Sequence, residues 1–276
     1  MKTEWAAKSG FAVVGVVAVI VTACAIVFAA NAKATGSRPR GTPVEDTEQV
    51  PRGTILPVSL ENGIKLQEAR KGDAIGARMM QDVPLPDGGK IRTRSKVTGT
   101  IDSVERDAAG SGVNLSFHFD KVEFGGKTAP IVTSLRAMAS YRAVRAAQMP
   151  LTGADSGTPG GWGTTVLIGG DIRFGDGGKV RNRSKQVVGK GVTGGVLVHV
   201  QAQPAAGCEG PVNGDDRPQA LWVFSSDACG VYDLQGVKIV HNGKSEPVGE
   251  ITLGFRKDDM KLESGTGLAL RVVSPK

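Results

Sequence analysis

The residues most able to do chemistry are two rows of cations. Lys90, Arg92, Arg94 and Lys96 occupy alternate positions in DGGKIRTRSK (87–96). Lys179, Arg181, Arg183 and Lys185 do the same in DGGKVRNRSK (176–185). Alternate residues of a β-strand project from one face at a spacing of about 6.6–6.8 Å. Each row therefore makes a line of positive charge suited to a polyanion, an anionic lipid headgroup or an acidic surface polysaccharide. Two such strands side by side would merge eight cations into one patch. The competing reading is a solvated strand edge, where such charges deter edge-to-edge pairing. Few aromatic residues accompany the cations, and an exported chain would not meet the usual target, so no nucleic acid partner is expected.

Covalent and acid–base chemistry is poorly provided for. Of the three cysteines, Cys208 and Cys229 would close a loop of about 22 residues, worth roughly 3 kcal/mol as a disulfide in the chain-entropy reading. No C-x-x-C pair and no histidine at ligand spacing accompanies them, so no metal is expected. His118 and His199 fall on strand-like stretches and His241 beside a turn signal. An enzyme would have to assemble its site from such distant residues, with His118 and His199 the pair to watch. Neither a nucleophile elbow nor a zinc or phosphate-loop motif is present in the sequence. Adjacent carboxylates such as Asp258-Asp259 would point to opposite faces of a strand. The residues point to a protein that is not an enzyme and needs no cofactor.

Composition sets the frame that must position these groups. The chain of 276 residues has 39 glycines, only 13 aromatics (8 Phe, 2 Tyr, 3 Trp) and 34 Lys/Arg against 27 Asp/Glu, a net charge of +7. Small residues and turn formers favour a mainly β fold over coiled coil, collagen or a polytopic membrane protein. Phe11–Ala30 carries no charge over twenty residues, long enough to span a bilayer core of about 30 Å. Three readings stay open: an uncleaved membrane anchor, a signal peptide cleaved near Ala30-Asn31-Ala32 or Ala32-Lys33-Ala34, and a lipoprotein signal with Cys24 lipidated after Val21-Thr22-Ala23. Each places the rest of the chain outside the cytoplasm, facing the periplasm or exported. Residues 36–52, rich in proline and charge, read as a linker.

The remainder carries an internal echo. Asp87–Lys96 and Asp176–Lys185 are identical at eight of ten positions, and Gly126–Ile131 is similar to Gly243–Val248. This predicts two related β units, a barrel or a sandwich: 53–150 with one short helix, and 164–276 with a Cys-containing insertion. A Gly/Pro-rich stretch, 151–163, joins them. Leu115, Phe117 and Phe119 alternate with polar residues as in a half-buried strand, and Val122 and Phe124 reverse that parity, predicting a bulge near Asp120-Lys121. Gly125-Gly126 and Asn242-Gly243 are two-residue hairpin signals. Val196, Val198 and Val200, Trp222–Phe224 and Leu268–Val273 read as further strands. Ser134 is the expected cap of a helix over Leu135–Gln148, with Leu135, Met138 and Val144 along one side.

Several of these pieces resemble a known family. Gly53-Thr54-Ile55-Leu56-Pro57, Lys71-Gly72-Asp73, Gln81-Asp82-Val83 and Ser95-Lys96-Val97-Thr98-Gly99, all within Pro51–Val104, resemble the opening of the β-barrel domain of the VirB10/TrbI family, scaffolds of type IV secretion. Asp215–Val231 and Pro247–Leu253 resemble uncharacterised exported bacterial envelope proteins. The first resemblance implies a component of an envelope-spanning assembly; the second carries no activity. The expectation is a non-catalytic envelope module that meets the membrane through residues 11–30 and binds an anionic envelope polymer or an envelope protein. A secretion component or an exported enzyme are the alternatives.

Overall fold

The computed structural model describes residues 49–107, 112–149, 164–174, 178–182, 185–192, 195–199, 218–240 and 249–273. Residues 11–30, Cys24, most of the 36–52 linker, the 151–163 connection, Arg183, Cys208, Asn242-Gly243 and His241 lie outside these. Among the described residues no helix is long and apolar enough to cross a membrane.

The protein is mainly β, with one short helix. In chain order the strands are β1 (Ile55–Leu60), β2 (Ile64–Lys65), β3 (Ala74–Met79), β4 (Val83–Pro84), β5 (Lys90–Ile91), β6 (Lys96–Arg106), β7 (Val113–Phe124), β8 (Lys127–Pro130) and β9 (Val132–Ala139). Helix α1 (Tyr141–Gln148) follows. Then come β10 (Thr164–Val166), β11 (Ile172–Phe174), β12 (Lys179–Arg181), β13 (Val187–Val192), β14 (Gly195–His199), β15 (Pro218–Ala220), β16 (Gly230–Tyr232), β17 (Val237–Val240), β18 (Ile251–Phe255), β19 (Lys261–Leu262) and β20 (Gly267–Val273).

One large mixed sheet runs β16-β9-β20-β1-β3-β6-β7-β18-β17, with β8 added beside β7. Its two edge strands, β16 and β17, are consecutive in the chain and separated only by Asp233–Gly236, so the edges approach each other. A second sheet runs β10 through β15 in chain order, and β2–β19 and β4–β5 form two small pairs. Strands from both sides of the 151–163 connection thus interleave in the large sheet. The expectation of two units dividing at that connection is corrected accordingly: β16, β17, β18 and β20 complete a sheet begun by β1, β3, β6, β7 and β9.

The core explains the layering. One apolar cluster gathers side chains such as Leu56, Val58, Met79, Val97, Leu115, Phe117, Phe119, Leu253, Leu268 and Leu270. A second, containing Ile55, Ala137, Ala139 and Ala269, lies against Val144 and Ala147 of α1, Val180, Val188 and Leu221–Phe224. Alternate residues of β1, β9 and β20 enter different clusters, so these strands are buried on both faces and lose the apolar–polar alternation of a half-buried strand. For that reason Leu135–Ala139, expected as the first part of a helix capped by Ser134, belongs to strand β9. The helix begins only at Tyr141, capped by Ser140, whose Oγ accepts the Ala143 N–H at 3.0 Å. Trp222–Phe224, expected as a strand, is a buried loop whose Trp222 adopts φ 51°.

Other expectations hold. Gly125 and Gly126 form the β7–β8 turn with φ 59° and 76°, the left-handed pair that a tight hairpin requires. On β7, Lys121 pairs with Thr98 and Phe119 with Gly99, leaving Asp120 as the extra, bulged residue. β14 covers Val196 and Val198, and β20 covers Leu268–Val273.

Candidate anion-binding site

Each echoed segment contains one short strand at the same place, β5 in the first and β12 in the second, and the first runs on through a turn to the start of β6. Each contributes one fully buried aliphatic at the equivalent position: Ile91 to the first core cluster and Val180 to the second. These anchors fix the flanking cations at the surface. They also place the two copies in different sheets, with β5 paired to β4 and β12 paired to β11 and β13. The two strands therefore do not lie side by side, and the first row leaves its strand after Ile91 for a turn closed by the Ser95 N–H on Arg92 O.

In the first row, Lys90 is neutralised by Asp82. Asp82 also accepts the Thr93 N–H at 2.8 Å and the Thr93 hydroxyl at 3.0 Å. These three contacts, the Lys90 hydrogen bond foremost, lower the Asp82 carboxyl from 3.8 to about 2. The carboxylate thereby ties the turn to β4. Arg92 is exposed on that turn, and Arg94 follows in the left-handed region at φ 72°, its N–H donated to Met79 O at 2.7 Å. Few non-glycine residues adopt this conformation, and a bulky one does so at a cost of about 1–2 kcal/mol.

Lys96 opens β6 directly opposite Arg78 on β3. Like charges facing each other across a ladder are unfavourable, and a sequence selected for stability alone would avoid the pair. Arg78 is steadied from one side by Glu61, Nε to Oε1 at 2.6 Å, and donates from Nη1 to Arg94 O at 3.2 Å. Arg78, Arg94, Lys96 and Lys127 line one open depression of about 510 Å³, with Ser95, Thr128, the Gly125-Gly126 turn and a single acid, Glu123. Arg94 and Lys96 make no ion pair among the described residues. Such a concave, cation-rich surface concentrates anions, and arginine adds a planar fork of donors suited to phosphate or carboxylate.

Sequence reasoning found Arg94 and Lys96 and missed Arg78 and Lys127. Nothing in the residue spacing joins them, since they meet only through the β3–β6 register and the β7–β8 hairpin. Of the second row, Lys179 and Arg181 lie on β12, and Lys185 ends the turn at φ 64°, with Arg181 Nη1 donating to Lys185 O at 2.8 Å.

The two histidines expected on strands belong to different sheets. His118 is on β7 of the large sheet and His199 on β14 of the second. His118 has a different partner: its Nδ1 lies 2.8 Å from Asp102 Oδ1. Asp102 is itself the bulged residue of β6, because Ile101 pairs with Phe117 and Ser103 with Ser116. Bulges re-aim side chains, and this one turns a carboxylate onto the imidazole. Among the described residues no hydroxyl or thiol hydrogen-bonds the other ring nitrogen, and no group of three His, Cys, Asp or Glu side chains could hold a metal ion.

Of the two cysteines expected to pair, Cys208 lies outside the described residues, and Cys229 donates its N–H to the Tyr232 hydroxyl at 3.0 Å. It ends the buried loop 221–229, whose backbone polar groups are met by side chains from elsewhere. Gln81 Oε1 accepts the Trp222 N–H at 2.7 Å, Asp171 accepts the Ser226 N–H at 2.7 Å and its hydroxyl at 2.6 Å, and Arg136 donates to Ala228 O and Ser226 O at 2.8 and 3.0 Å. Buried backbone demands such partners.

No family model matches the chain, and no curated protein or solved structure matches it either.

Proposed function

We propose that the protein is a non-catalytic binding module of the bacterial cell envelope that holds an anionic envelope polymer in the Arg78–Arg94–Lys96–Lys127 depression. The observation that carries this reading is the Arg78–Lys96 pair, two cations kept face to face across a β-ladder beside a third held in a strained backbone conformation. A structure that tolerates both costs has a use for the resulting field. The test is binding of the full chain, in neutral detergent, to polyphosphate and to an acidic polysaccharide across a salt series. Affinity falls steeply with salt, and the slope of log affinity against log salt drops by about one for each cation removed by Arg78→Gln, Arg94→Gln or Lys96→Gln. Arg92→Gln, outside the depression, changes the affinity by less than twofold. Equal binding by the triple variant and the parent protein overturns the proposal.

A second reading, a component of a VirB10/TrbI-like assembly, is favoured by the meeting of the sheet edges at Asp233–Gly236, which suits a barrel-like domain. It predicts ring-shaped oligomers of the full chain in detergent by electron microscopy. Monomers at every concentration count against it.

A further inference from the structure

We propose that the outer face of the second sheet, β10–β13, docks on an anionic lipid bilayer, a role separate from the depression on the large sheet. Directly opposed residues of neighbouring strands share a face. Val166 of β10 opposes Ile172 of β11, Ile172 opposes Arg181 of β12, and Arg181 opposes Val187 of β13. The four form one cross-strand row about 14 Å long at a strand spacing of about 4.8 Å. Val166, Ile172 and Val187 are 48%, 38% and 51% exposed, and they are three of the five large hydrophobic side chains exposed among the described residues. Exposed aliphatics gathered into one row, rather than scattered, mark a surface that meets an apolar partner.

Charge supplies the partner's chemistry. Two residues before Arg181, Lys179 lies on the same face and directly opposes Lys190, both exposed. Lys185 is exposed at the adjoining turn. Segment 164–199 carries six Lys/Arg against two Asp, and of these Asp171 is buried and bound to Ser226. The opposite face of the same strands presents Val180 and Val188 to the protein core. A soluble polyanion would engage the cations and gain nothing from the aliphatics. A second copy on the same face would set Lys179, Arg181 and Lys190 against their own kind. An anionic bilayer satisfies both halves of the pattern, with headgroups for the cations and an interfacial acyl boundary for the valines and isoleucine.

The test mixes the full chain with vesicles of phosphatidylcholine alone, or of phosphatidylcholine with phosphatidylglycerol, and follows backbone amide exchange over 164–192. Any insertion of residues 11–30 occurs on both vesicle types and leaves this readout unmoved. Exchange in β10–β13 slows at least fivefold on the phosphatidylglycerol vesicles only. Val166→Ser/Ile172→Ser/Val187→Ser and Lys179→Gln/Arg181→Gln/Lys190→Gln each abolish the slowing, and Val187→Ser alone reduces it should the triple variant fold poorly. Arg78→Gln/Arg94→Gln/Lys96→Gln retains it, which separates this face from the polymer site. Equal exchange on both vesicle types overturns the proposal. So does protection that survives loss of the aliphatics, or equal protection by soluble polyphosphate without lipid.

Discussion

A β-carbon placed on Gly99 would stand 1.8 Å from the carbonyl oxygen of His118 and 2.8 Å from Phe119 Cα. The long strands β6 and β7 approach this closely because Asp120 bulges out of register beside Gly99 and Asp102 bulges out beyond it. Both obstacles are backbone, which cannot swing aside as a side-chain tip can. Gly99→Ala must therefore separate the strands that carry His118 and much of the first core cluster. We expect a loss of about 3 kcal/mol or more, at the upper end of single substitutions. Urea unfolding measures it, and a loss below about 1 kcal/mol would show that the ladder adapts.

Asp82 gives the fold an acid-sensitive contact. Its carboxyl titrates near 2 in the folded protein, below the ordinary value of 3.8, chiefly through the Lys90 hydrogen bond and the Thr93 N–H. A lowered folded value stabilises the protein above the unfolded value and loses that contribution as pH falls through the folded one. The margin between the parent protein and Asp82→Asn should thus be constant above about pH 5 and shrink between roughly pH 4 and 2. The side chain is 44% exposed, so the margin is small, under about 1 kcal/mol. Urea midpoints for both proteins at pH 6, 4, 3 and 2 test this. A margin that widens on acidification contradicts the assignment.

Much of the local structure was legible because it obeys short-range rules. The parity reversal after Phe119 announced the Asp120 bulge, and Gly125-Gly126 announced the β7–β8 hairpin. What escaped was decided over longer distances. Leu135–Ala139 reads as helix because a strand buried on both faces has no period-two signature. Trp222–Phe224 reads as strand, yet its loop is held by residues 50 or more positions away: Gln81 accepts the Trp222 N–H, and Arg136 and Asp171 grip Ser226 just beyond. The cation rows were visible, yet their grouping was not. Lys90 is taken by Asp82, and Arg94 and Lys96 join Arg78 and Lys127 only through cross-strand register.

Arg94 separates stability from binding. At φ 72° a residue with a β-carbon is disfavoured and glycine is not. Arg94→Gly and Arg94→Ala both remove a cation from the depression, so both should weaken polyphosphate binding to a similar extent. They should differ in stability, glycine exceeding alanine by about 1 kcal/mol. Thermal unfolding beside the binding assay checks the pair. Equal melting temperatures would mean that the turn relaxes out of the left-handed region once the arginine is gone.

Cys229 pairs with Cys208 if the loop of about 22 residues between them is closed, as the spacing allows. Peptide mapping of the unreduced protein should recover one linked fragment containing both residues, which separates on reduction. A linked fragment joining Cys229 to Cys24 would reassign the bridge.

The loop that ends at Cys229 is held at Ser226 from two sides. Asp171, 1% exposed, accepts both its N–H and its hydroxyl, while Arg136, 7% exposed, donates to its carbonyl. Removing either partner strands buried polar groups. Asp171→Ala and Arg136→Met should each cost about 2–4 kcal/mol, more than an ordinary lost hydrogen bond, because the donor or acceptor left behind is buried and in each case its lost partner was a charged side chain. The two effects should not add. Once one side has let go, Ser226 can shift, and the second substitution removes less. A double-mutant cycle should show a coupling of at least about 0.5 kcal/mol. Strict additivity would mean that the two side chains hold the loop independently, each through its own contacts.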